Sequence, residues 1–167
     1  MHSPTHPDER SVDQLLARAD QVAGGLLDGT LPKPEWTHDG HLLACISLVR
    51  RHGAVEALRV LRGAIPPYNV STGVANTPSG GYHDTITVYY VWAIDRLLGR
   101  GLMAEAILAD PLVERTAALA YWDRDVLMSP AARATWMAPQ RAAGDGSLPS
   151  EAWSLGPNQP GQIRPGR

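Results

Sequence analysis

The sequence predicts an all-α protein, a single-domain helical bundle of about five to seven helices with disordered termini. Apolar residues recur at three- and four-residue spacing through most of the chain between Ser11 and Trp136. No stretch alternates with the two-residue period of a strand. Glycine and proline fall between the periodic segments, at Gly29 to Pro34, Gly53, Pro66-Pro67 and Gly99 to Gly101. At 167 residues, 44% hydrophobic and 19% charged, the chain suits one domain able to bury a core without disulfides or metals.

The boundaries follow composition. Residues 1–10 hold two prolines and two histidines without periodicity and read as a flexible lead-in. Residues 11–138 form the helical domain. Residues 139–167 lose apolar spacing to glycine, proline and serine and read as a disordered tail. Ser11 is placed as an N-cap for a first helix carrying Leu15, Leu16, Ala19, Val22 and Leu26. A second helix runs from about Trp36 to His52 with Leu42, Cys45, Ile46 and Val49 as its stripe. Past Gly53, a third carries Val55, Leu58, Leu61 and Ile65 until Pro66-Pro67 stops it.

Tyr68 to Gly81 reads as a long functional loop. A fourth helix follows with His83, Ile86, Thr87, Tyr90, Ile94 and Leu97 on one core-facing stripe. Shorter helices are predicted over Leu102–Ala109 and Pro111–Tyr121. Ser129-Pro130 opens a last one over Ala131–Trp136. With no phenylalanine, Tyr and Trp must supply the aromatic core.

Several function classes lose support. A net charge of -2 offers no electrostatic reason for a nucleic-acid or anionic-membrane partner. No run is apolar and long enough to span a bilayer, and Met1–Arg10 lacks the apolar centre of a secretory signal. A cytoplasmic protein is the simplest reading. The single Cys45 excludes an intramolecular disulfide and reads as a small buried hydrophobe.

Chemistry concentrates in Glu35-Trp-Thr-His-Asp-Gly-His-Leu42 and Gly80-Gly-Tyr-His-Asp-Thr85. On a helix, His38 and His41 lie about 60° apart and can point into one space, with Glu35 near them in angle. Gly40 between them costs roughly 1 kcal/mol relative to alanine, consistent with a backbone or ligand approaching closely. With His83 from the next long helix, His38 and His41 could ligate one divalent transition metal, zinc or iron first, nickel or copper next. Glu35 would be a fourth ligand or a base. Asp39, Asp84 and Thr87 are placed to take the outer ring N–H of a ligand histidine.

Structural roles stand beside each of these. His38 could be a hydrogen-bonded core histidine, and His83 a helix-start residue tied to the preceding loop. His-x-x-His alone is a short pattern. Tyr68, Asn69, Tyr82, Thr87 and Arg133 are candidate substrate-binding residues, with Arg133 as a carboxylate or phosphate clamp or a surface salt bridge.

The run Glu35-Trp-Thr-His-x-x-His-Leu42, Tyr68-Asn69 with Asn76-Thr77, Gly81-Tyr-His-x-Thr-x-Thr87, and Leu127-x-Ser-x-x-Ala-Arg133 with Trp136 together resemble a family of small, largely uncharacterised bacterial all-α proteins. The resemblance spans Glu35 to Trp136 and implies co-occurrence of these motifs but no settled activity. The chain departs from it at Trp136-Met-Ala-Pro-Gln-Arg141, where the family has an acidic Pro-Asp-Leu ending. Trp36 and the following His-Leu also resemble the DinB-type metal-binding four-helix bundle, whose later histidines are spaced differently; that likeness bears on fold alone.

These readings lead to a metal-dependent enzyme acting on a small organic molecule. Glu35, His38 and His83 would be catalytic, and the metal on His38, His41 and His83 would activate water or polarise a substrate carbonyl. Three alternatives remain open: a metal-free acid–base isomerase or cyclase, a non-haem iron or copper oxygenase, and a non-catalytic ligand- or metal-binding protein. A homodimer is compatible with the apolar helices.

Overall fold

The computed structural model describes the backbone of residues 7–141 and the side chains of residues 11–141. The predicted flexible residues 1–6 and the tail from 142 onward lie outside the described residues. Within them the protein is all-α, with no strand; an isolated bridge joins Thr77 and Gly80. Helix α1 (Pro7–Asp28) packs on α2 (His38–Ser71), and α2 packs on α3 (Asp84–Gly99). The short α4 (Ala104–Leu108) closes against all three, α5 (Arg124–Leu127) leads into α6 (Pro130–Ala134), and α6 rests on α3. No helix among the described residues is long and apolar enough to cross a membrane.

Helix α1 begins four residues before the predicted cap. Ser11 lies inside it, and its hydroxyl donates to Glu105 Oε1 at 2.9 Å, joining α1 to α4. Helix α2 starts at His38 because Thr37 caps it: Thr37 Oγ1 accepts the Gly40 N–H at 3.2 Å. Glu35 therefore lies before the helix, in a 3₁₀ turn over Lys33–Glu35. Gly40 has a direct cause. A Cβ there would strike the Glu35 carbonyl oxygen, so glycine lets the turn fold back onto the helix start.

Gly53 breaks the helical path as predicted, at φ 76° and ψ 165°. Pro66-Pro67 does not end the helix, which continues to Ser71. Proline already has a helical φ, so what is lost is the N–H that would have reached the carbonyl four residues back. Buried Tyr68 and Asn69 hold the segment beyond the prolines, and Asn76 Nδ2 donates to Pro66 O at 2.9 Å. The connection is shorter than predicted as a result and is closed by a tight Thr77–Gly80 turn.

Helix α3 is the central element. The predicted stripe is too narrow, because Val88 through Ile94 are all buried. A helix apolar on nearly every side belongs in the middle of a bundle. The aromatic core is Tyr and Trp, as the absence of Phe requires. Tyr89 and Trp122 are both fully buried, with their polar atoms donating to Leu112 O (2.9 Å) and to Met137 O and Ala138 O (3.2 Å each). Order extends past the predicted boundary at 138: the amides of Gln140 and Arg141 both donate to Tyr121 O at 3.0 Å.

Candidate functional site

The predicted site residues fall into two clusters. The first surrounds the start of α2. Trp36 stacks on the His41 ring with centroids 3.7 Å apart, and Tyr68 meets Trp36 edge-on at 5.5 Å. His41 Nδ1 lies 2.6 Å from Thr37 O. A carbonyl only accepts, so Nδ1 carries the proton and Nε2 keeps its lone pair, with no hydrogen-bond partner among the described residues. Partial burial, then the nearby His38 and Arg115, push the His41 pKa down, while the Thr37 carbonyl opposes them. The neutral ring is favoured.

His38 turns the other way. Its Nε2 donates to Val113 O at 2.8 Å, and its ring packs edge-on against Tyr90 at 5.2 Å. The Tyr90 hydroxyl donates to Glu114 O (2.8 Å) and Arg115 O (3.1 Å). Glu35 pairs with Arg18 at 2.5 Å, and Tyr68 Oη is bonded to Leu31 O at 3.0 Å.

The second cluster surrounds the start of α3. His83 is its N-cap: Nδ1 accepts the Ile86 N–H at 3.3 Å, while Nε2 donates to Leu127 O at 2.8 Å. Both ring nitrogens are engaged, and burial pushes the pKa down. Asp84 receives Arg62 bidentately at 2.8 and 2.7 Å and the Tyr82 hydroxyl at 2.8 Å. Burial pushes the Tyr82 phenol far up. Thr87 Oγ1 donates to the His83 carbonyl at 2.8 Å instead of reaching a ring nitrogen.

Asn76 Oδ1 accepts from Asn69 Nδ2 (3.0 Å) and the Tyr82 amide (2.9 Å). Gly81, at φ 76°, lets Asn76 approach. Arg133 Nη1 donates to Gly81 O (3.1 Å) and Tyr82 O (3.2 Å), while its buried Nε has no partner. Asn69, Tyr82, His83, Thr87 and Arg133 are thus linked to one another and to Asn76 through their own polar atoms.

The shared three-histidine centre finds no support in this arrangement. His38 meets α3 at Tyr90, seven residues beyond His83, a rise of about 10 Å along the helix. His83 Nδ1 faces its own helix amide. Among the described residues no group of three or more His, Cys, Asp or Glu is gathered as a metal would require. The donor set of the described residues does not fit a divalent metal. An open groove of about 550 Å³ between the end of α1 and the second half of α2 reaches Tyr68 but no histidine.

Sequence reasoning passed over Tyr90, whose ring meets His38, and treated His41 only as a ligand. The Trp36–His41 stack had a signal, an indole five residues before an imidazole across a helix cap. Cys45 is buried, and burial pushes its thiol up to about 12, so it is an inert core residue as read. No protein-family model, curated protein or solved structure matches the chain.

Proposed function

We propose that the protein is a small-molecule enzyme working by metal-free acid–base chemistry, with His41 Nε2 as the base. One observation supports this above the rest. His41 is the histidine whose outward nitrogen is left as an unprotonated acceptor, while its other nitrogen is fixed by Thr37 O and its ring by Trp36. Fixing one nitrogen and lowering the pKa is how an imidazole is kept ready to take a proton near neutral pH.

The reaction class is proton transfer. A substrate C–H or O–H bond breaks, the proton moves to Nε2, the electron pair stays on the substrate, and His41⁺ returns the proton at another position. Glu35, first read as the base, is held instead by Arg18 and steadies the turn that carries Trp36. His38 positions the 113–115 segment beside the site.

The test is carbethoxylation by diethyl pyrocarbonate, which attacks neutral, accessible imidazole nitrogen, followed by peptide mass spectrometry. Among His38, His41 and His83, His41 is expected to react fastest near pH 6.5 and His83 slowest, with the exposed His52 as the internal reference. A library of small carbonyl compounds and organic acids in D₂O should then contain one that exchanges a proton with the wild type and not with His41→Asn. His41 reacting no faster than His83 would overturn the reading. So would an exchange activity that His41→Asn retains.

A further inference from the structure

We propose that a second copy of this chain packs antiparallel into the open groove beside the second half of α2, across a two-fold axis at Gly63. The groove, of about 550 Å³, lies between the end of α1 and residues 59–71 of α2. It is separate from His41, and the proposal stands independently of the acid–base reading.

Past Gly53, α2 carries two apolar seams of the same spacing. Leu58, Leu61, Ile65 and Tyr68 are three, four and three residues apart and are all buried in the bundle. Val60, Gly63, Pro67 and Val70 repeat that spacing on the opposite face. A three–four repeat keeps one side of a helix turned toward a partner helix over successive turns. The inner seam has its partner inside the protein. The outer seam is open: Gly63 and Pro67 are exposed, Val70 is 65% exposed, and Leu27 on the facing wall is 49% exposed.

Gly63 sits in the middle of the outer seam, where a Cβ would meet only open space. Nothing within the chain requires a glycine there, although it costs about 1 kcal/mol relative to alanine inside a helix. A helix crossing at that point does use it, because two backbones approach closely where no side chain intervenes.

Symmetry selects the occupant. A two-fold axis at residue 63 sets Arg59 of each copy against Pro67 of the other, and brings the exposed Val55 beside Val70. The charges match as well. Arg59 lies at one end of the groove, and Asp28 lines the wall toward the other. That wall is tied to the far end of α2, since Tyr68 Oη donates to Leu31 O at 3.0 Å and Lys33 Nζ to Thr72 O at 2.8 Å. The axis therefore carries each guanidinium toward the carboxylate of the other copy, twice over. The existing Arg59–Glu56 pair is a surface contact, with Arg59 70% exposed, and admits a second carboxylate at little cost. An unrelated helix would need neither a seam that repeats about its own centre nor opposite charges at the two ends.

Sedimentation velocity of the full chain over about 1–100 µM, the span of modest affinities, is expected to show the mass doubling with concentration. Gly63→Glu should keep the circular dichroism of the wild type, because the site is open in the single chain, and raise the dimer dissociation constant at least about tenfold by setting two carboxylates on the axis. Asp28→Arg should weaken association about threefold or more, and Asp28→Arg combined with Arg59→Asp should recover it. Gly63→Cys should form a disulfide between copies under mild oxidation, because a residue on the axis meets itself, while the native Cys45 is buried.

A wild type that stays monomeric throughout the range would overturn the proposal. A dimer indifferent to Gly63→Glu would place the interface elsewhere and overturn it equally. A dimer that Gly63→Cys does not cross-link, or a charge swap that does not recover association, would overturn the antiparallel two-fold arrangement.

Discussion

The two clusters use the same residue types for opposite ends. Around His83, every polar partner is internal: both imidazole nitrogens, both Asp84 oxygens and the Tyr82 hydroxyl are bonded within the protein. Around His41, one nitrogen is fixed and the other is not. A histidine with both nitrogens engaged stabilises a fold, whereas one held by a single nitrogen is oriented and still available. The His83 cluster buckles the 76–84 connection to α3 and α6; the His41 cluster is where a ligand would find unmet chemistry.

The largest effect should come from the buckle. Asp84→Ala leaves Arg62 with an uncompensated, mostly buried charge and removes the acceptor of the Tyr82 hydroxyl. Breaking such a pair costs about 3–5 kcal/mol. Urea unfolding should show that loss, and a change below about 1 kcal/mol would mean the pair is not buried in solution.

His83→Ala comes next. It removes a cap worth about 1 kcal/mol and leaves the Leu127 carbonyl without its donor, a further cost of about 1–3 kcal/mol. His41→Ala should cost only about 0.5–1.5 kcal/mol, the worth of a stacked aromatic contact. If the two variants unfold at the same urea concentration, the distinction between the clusters fails.

The difference between these histidines was only partly legible in the sequence. Hydrophobic periodicity located the long helices, and Ser129-Pro130 located α6, because local spacing and capping chemistry decide those. The prolines at 66 and 67 misled, since a helix stop is a local rule and buried Tyr68 and Asn69 override it from outside the segment. His38, His41 and His83 were legible as chemistry-bearing residues. What could not be read was where each ring nitrogen goes. Val113 O, Thr37 O and Leu127 O are main-chain atoms, two of them far away in sequence, and no side-chain pattern encodes a carbonyl acceptor. Gly40 was read correctly as a close approach, though the visitor proved to be the Glu35 carbonyl.

That approach gives a sharper perturbation of the first cluster alone. Gly40→Ala should displace the Lys33–Glu35 turn and with it Trp36, at a cost of about 1–3 kcal/mol for a crowded contact that the backbone must relieve. Near-ultraviolet circular dichroism would report the lost indole–imidazole stack. A variant with an unchanged spectrum and unchanged His41 reactivity would show that the turn does not hold the site.

The smallest effect is in pH. Both His41 and His83 have folded pKa values below the ordinary histidine value of about 6.5. The unfolded chain therefore binds more protons than the folded one between the two values, and stability rises with pH across that window. The contribution is fully present above about pH 6.5 and is lost as pH falls through each folded pKa. The clusters should respond differently. Protonating His41 adds a hydrogen to a nitrogen that has no internal partner, so reactivity toward diethyl pyrocarbonate falls while the helix start survives. Protonating His83 places a hydrogen on Nδ1 against the Ile86 N–H, and the cap is broken. Histidine ring resonances followed by NMR from pH 7.5 to 4.5 should show His41 titrating with little change in the amide of Gly40, and His83 titrating together with the amide of Ile86. Concerted loss of both helix starts at one pH would mean that the imidazoles belong to a single cooperative unit, and that His41 is as structural as His83.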